Sequence, residues 1–86
     1  MPSISQFYGI KIFIFYNDHN EPHCHAYYGD EHAEFSIKTG SLIGGSLPRR
    51  ARNLISIWIK AHKGELLENW DLASKHKILK KIKPLS

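Results

Sequence analysis

The chain has a single cysteine, no apolar stretch long enough to cross a bilayer, and no acidic residue after Asp71. One cysteine, Cys24, cannot close an internal disulfide, which excludes the disulfide-stapled secreted scaffolds. The longest apolar stretch, Ile12 to Tyr16, is far too short for a membrane span. Met1-Pro2-Ser3 leads into fold-like sequence without a basic start and apolar segment, so a reducing cytoplasm is the expected home. No internal repeat and no low-complexity tract is visible, so solenoids and linkers are excluded as well. What remains is a single domain of 86 residues, 42% apolar and 12% aromatic, enough for one thin core.

The formal net charge is +4, and its placement is uneven. Arg49, Arg50 and Arg52 form one basic cluster, and Lys75, Lys77, Lys80, Lys81 and Lys83 a second. Arg49, Arg50, Arg52, Lys80 and Lys81 are the candidate anion-binding residues, suited to RNA, DNA or an acidic protein surface. Solvated charge at helix ends is the plain alternative.

Hydrophobic patterning predicts an α+β domain: an antiparallel β-meander of three to four strands, two α-helices, and a short basic C-terminal strand or arm. The sheet is expected over about 7–45, the helices over about 47–75 and the basic tail over 76–86. Phe7 to Tyr16 reads as one nearly continuous apolar strand with both faces covered. Asn17 to Pro22 reads as a loop, His23 to Tyr28 as strand two and Glu31 to Lys38 as strand three. A further short strand is expected at Ser41 to Gly44. Ser46 is the expected cap of a helix carrying Leu47, Ala51, Leu54, Ile55 and Trp58 on one face, widened by Ile57 and Ile59. Lys63-Gly64 is expected to stop or kink it. A second helix follows from about Glu65 to Lys75, with Leu66, Leu67, Trp70 and Ala73 inward. Trp58 and Trp70 both read as core anchors. A helix-turn-helix reader is disfavoured because Glu65, Glu68 and Asp71 would repel phosphates.

The hairpin register sorts the histidines. With Gly29-Asp30 as a two-residue loop, Tyr28 faces Glu31, Tyr27 His32, Ala26 Ala33, His25 Glu34, Cys24 Phe35 and His23 Ser36. Opposed residues share a face, and side chains alternate along a strand. One face therefore holds Cys24, Ala26, Ala33 and Phe35; the other holds His23, His25, Tyr27, His32, Glu34 and Ser36. A one-residue slip would put histidine into the core, so the register is strongly specified.

That polar face supports two chemistries. His23 and His25 could chelate zinc or another divalent transition metal, with Glu34, His19 or His32 completing the shell. Alternatively, His23, His25 and Glu34 could do acid–base work on RNA, with Arg49 or Arg50 holding the phosphate. The plain alternative is a polar strand face, or histidines satisfied by packing. Cys24 falls on the core face, where a thiol is inert.

Several segments together resemble the bacterial family of small proteins described as domain of unknown function DUF4160. They are Met1 to Ser5, Phe7 to Ile10, Tyr16 to Asn20, Pro22-His23-Cys24-His25-Ala26, Gly45 to Ala51 and Leu66 to Trp70. The resemblance implies genes that sit beside a second small reading frame, hence a toxin–antitoxin-like pairing with a neighbouring gene's product. On that basis the expected role is the effector or regulatory half of a two-gene module, to which the reading of the histidine face adds a site that could act on RNA. The alternatives are a binding module for a partner protein or DNA, and a metal-binding domain built on the His-x-His strand. A homo-dimer is compatible with each. The chain departs from the family's pattern at Cys24, where an aromatic is usual, and in its tail at Lys83, where acidic residues are frequent.

Overall fold

The structure, a computed structural model, describes residues 3–16 and 21–85. Five antiparallel strands, β1 (Ser5–Phe7), β2 (Ile10–Phe13), β3 (His23–Tyr28), β4 (Glu31–Ser36) and β5 (Leu42–Gly45), form one sheet in the order β1-β2-β3-β4-β5. Two helices follow, α1 (Arg49–Ala61) and α2 (Lys63–Ser74). Neither is long and apolar enough to cross a membrane. The expected α+β meander is therefore what the chain forms, with one strand more than expected.

The extra strand comes from the segment read as continuous. Tyr8 and Gly9 both take positive φ, 50° and 80°, so the chain reverses there and Phe7 pairs with Ile10. Positive φ at both central residues is the signature of a type I′ hairpin, whose twist matches its flanking strands. Tyr-Gly is a weaker turn signal than Asn-Gly, and the surrounding apolar run concealed it. β2 is also not covered on both faces: Ile10 and Ile12 are buried, while Lys11 is exposed.

The central hairpin pairs all six residues of β3 with β4 in the expected register, from His23↔Ser36 to Tyr28↔Glu31. Its loop begins at Gly29, with φ 60°. One face of the sheet carries Ile10, Ile12, Cys24, Ala26, Ala33 and Phe35, all essentially inaccessible. Ala51, Ile55, Trp58 and Ile59 of α1 and Leu66 and Ala73 of α2 join them in a single apolar core. The helices thus lie on the Cys24 face.

At the end of the sheet a bulge between β4 and β5 shifts the pairing from Glu34↔Gly44 to Phe35↔Leu42. Gly45 is required there. Its φ is +76°, and a Cβ would come within 2.3 Å of the His32 carbonyl oxygen. Ser46 donates its backbone N–H to that same His32 carbonyl and does not cap the helix. Pro48 is the N-cap, and its hydrocarbon ring offers no acceptor, so α1 begins without a side-chain cap. Ile57, assigned to the inward stripe, is mostly exposed. Lys63 does not end the helical region but begins α2, after a break at His62.

The tail after α2 forms an arm, not a strand. Buried Asn69 receives the Lys80 backbone N–H on Oδ1 and donates Nδ2–H to the Lys80 carbonyl, both at 2.9 Å. The Trp58 indole N–H donates to the Lys83 carbonyl, the Ile82 N–H to the Ile4 carbonyl, and Ile82 is buried. Ile78, in contrast, is exposed.

Candidate metal centre on the sheet's open face

β3 and β4 place His23, His25, Tyr27, His32, Glu34 and Ser36 on the face away from the helices, as the alternation of the hairpin requires. β2 adds Lys11 opposite Tyr27 and Phe13 opposite His25. This face is not uniformly exposed. His23 and His25 are only 3% and 7% accessible, whereas Tyr27 is 37% accessible. Among the described residues, two aromatic rings pack against these histidines. Phe15 lies 4.4 Å from the His25 ring, and Trp70 of α2 lies 5.1 Å from the His23 ring.

The hydrogen bonds orient both imidazoles. His23 Nδ1 is 2.8 Å from the Glu21 carbonyl oxygen. A carbonyl can only accept, so Nδ1 donates, and the neutral ring carries its lone pair on Nε2. That Nε2 faces Glu34 Oε1 at 3.5 Å. His25 Nδ1 is 3.0 Å from His32 Nε2. When His25 donates in that contact, its own Nε2 lone pair also faces Glu34 Oε1, at 4.0 Å. One ligand atom from each of His23, His25 and Glu34 falls within 4.8 Å of the others.

Gly44 makes room for this carboxylate. Directly across from Glu34, a Cβ at Gly44 would sit 3.0 Å from Glu34 Oε2. A tetrahedral zinc ion with bonds of roughly 2.0–2.1 Å sets its donors about 3.4 Å apart. The His23–Glu34 distance is already close to that value. The His25–Glu34 distance of 4.0 Å, and a cluster span of up to 4.8 Å, would have to contract on metal binding to complete three of the four positions.

The candidate ligands thus divide. His23, His25 and Glu34 converge. His32 stands one step out, holding His25 by its Nδ1. His19 lies outside the described residues. Glu21, Phe15, Trp70 and Gly44 are site residues that sequence reasoning missed. Phe15 was recoverable, since it follows Phe13 by two and so shares the His25 face. Trp70 was assigned wholly to the core, but its half-buried ring walls the histidine site.

The basic residues lie elsewhere. α1 packs on the Cys24 face, so its arginines are across the sheet from His23 and His25. Arg49 and Arg52 line a recess with Ser41 and Leu42, and Arg50 lines another with Tyr8 and Tyr28. Arg49 and Arg50 open α1 with no acidic residue in its first turn, against the helix dipole. Lys80 pairs with Glu68 at 3.0 Å, and Lys81 Nζ donates to the Ser3 carbonyl at 2.6 Å. Cys24 is buried, and burial pushes its thiol up to about 12, which leaves it protonated and unreactive at neutral pH.

The family model described as domain of unknown function DUF4160 matches residues 9–71. Searches of curated proteins and of solved structures return no match.

Proposed function

The chain belongs to the DUF4160 family, and we propose that it is a metal-binding domain, holding a first-row divalent ion of the zinc class through His23, His25 and Glu34. The observation that carries this reading is the convergence of both histidine Nε2 atoms on one carboxylate oxygen, at 3.5 and 4.0 Å. In metal sites the second ring nitrogen usually donates to a carbonyl or a similar acceptor, which fixes tautomer and ring angle. The Glu21 carbonyl fills that role for His23, and His32 is placed to fill it for His25. Two imidazoles and a carboxylate supply three ligands among the described residues, the number of protein ligands in zinc sites that activate water.

A metal-free reading, with His23 and His25 as acid and base on RNA, has less support. It requires Arg49 or Arg50 beside the histidines, and both belong to a helix packed on the opposite face.

Protein purified without a histidine tag should contain close to one equivalent of a first-row ion, or take up zinc to that ratio after stripping. His23→Ala with His25→Ala should abolish uptake. At a free metal concentration about 100-fold above Kd, the wild type should gain roughly 2.7 kcal/mol of stability. If zinc binds below stoichiometry and leaves the unfolding midpoint unmoved, the cluster is a histidine–carboxylate packing arrangement and the reading fails.

A further inference from the structure

Beside the histidines, the open face continues as a shelf of rings. Gly9, Lys11, Phe13, Phe15, Tyr27 and Gly29 line a shallow recess of about 560 Å³. Phe13 and Phe15 lie nearly parallel, with centroids 6.0 Å apart. Tyr27 stands edge-on to Phe13 at 5.4 Å and stacks on His32 at 4.6 Å. His32 in turn stacks on His25 at 5.3 Å, so the row of rings runs from the recess to the histidine cluster. Phe13 and Phe15 are half-buried, which anchors them, while Tyr27 and Lys11 are exposed.

We infer that this shelf binds single-stranded nucleic acid, with bases stacked on Phe13, Phe15 and Tyr27 and a phosphate held by Lys11. The inference goes beyond the metal reading and stands without it.

Four features select this occupant. Flat rings on an open sheet are platforms on which unpaired bases stack, whereas the bases of a duplex keep their faces stacked on one another. Residues two apart on a strand are about 6.8 Å apart, so Lys11 and Phe13 follow one another along β2, and Phe15, two residues past its end, stacks beside Phe13. Among the described residues no acidic side chain lines the recess, and the one formal charge in its lining is the positive Lys11. Gly9 and Gly29 flank the rings at the two hairpin loops, so no side chain projects from either position.

A second copy of the chain fits less well. A two-fold contact through this recess would bring Lys11 toward its own counterpart, with no carboxylate among the described lining residues to neutralise either. Burying like charges in that way is costly. An apolar peptide would likewise have to bury the ammonium.

The test is a fluorescence anisotropy titration of a short, end-labelled single-stranded RNA and single-stranded DNA, against a duplex of the same sequence, at low and at physiological salt. Single strands should bind at least tenfold more tightly than the duplex. Tyr27→Leu and Phe13→Leu keep apolar bulk but remove the π-face, and each should weaken binding by about 5- to 150-fold. Lys11→Ala should weaken binding at every sequence and flatten the salt dependence. Circular dichroism and the thermal midpoint show which variants remain folded; Tyr27→Leu, at an exposed position, provides the decisive comparison. Stripping metal with a chelator should leave the titration unchanged, which separates this inference from the metal reading. Equal affinity for single strand and duplex, or wild-type affinity in folded Tyr27→Leu, would overturn it. So would a wild-type dimer that Tyr27→Leu converts to monomer, since the face would then belong to a second copy.

Discussion

The two faces of the same five strands obey different rules. The Cys24 face is aliphatic, closed by two helices and inaccessible. The His25 face is aromatic and polar; among the described residues Trp70 and Phe15 close it at one end, and a recess lies along Phe13 and Tyr27. The first face is what a small domain needs in order to fold. The second keeps buried imidazoles and a row of rings that folding alone does not require.

Substitutions can break that comparison. The largest effect is expected for Phe35→Ala on the helix-covered face, about 3–5 kcal/mol, because a fully buried ring leaves a cavity. Tyr27→Ala on the open face should cost less than about 1 kcal/mol. Urea unfolding of both variants gives the ratio; similar losses would mean that the open face also carries the fold.

Next in size is Asn69→Ala. Asn69 stands in for a neighbouring strand by satisfying both backbone groups of Lys80. Losing it should cost about 2–3 kcal/mol, since each unsatisfied buried partner carries its own penalty. Limited proteolysis should then cut within 77–83 well before the sheet is attacked. Simultaneous loss of the sheet would show that the arm is part of the main folding unit.

Gly44→Ala sharpens the comparison on the open face. Its methyl group would meet the Glu34 carboxylate at 3.0 Å and push it away from His23 and His25. Metal affinity should fall by about 10-fold or more, the usual effect of disturbing a ligand's support, while the unfolding midpoint of the metal-free protein changes little. Isothermal titration with zinc measures the first, and a thermal scan the second.

The smallest effect is expected at the surface of α2. Lys75 and Asp71 form a well-exposed pair at 3.0 Å. Lys75→Ala should change stability by no more than about 0.5 kcal/mol, and less at high salt. A larger loss in the same unfolding assay would make the helix surface part of the stability contrast.

The sequence alone determined the central hairpin, all six of its cross-strand pairs, and hence which histidines share a face. The reason is that strand periodicity and a Gly-containing two-residue loop are local, and a slipped register would have buried histidine against apolar side chains. It also determined the meander-then-helices order. The Tyr8-Gly9 reversal was not legible, because an apolar run masks a turn that only backbone conformation reveals. Tertiary structure alone decided that Glu34, rather than His32, stands between the two Nε2 atoms, and that Trp70, packed against the core, also covers His23. It also put Arg49 and Arg50 on the far side of the sheet and fastened the tail as an arm through Asn69. These outcomes depend on how helices dock across the sheet, and docking is set by long-range packing that no local pattern encodes.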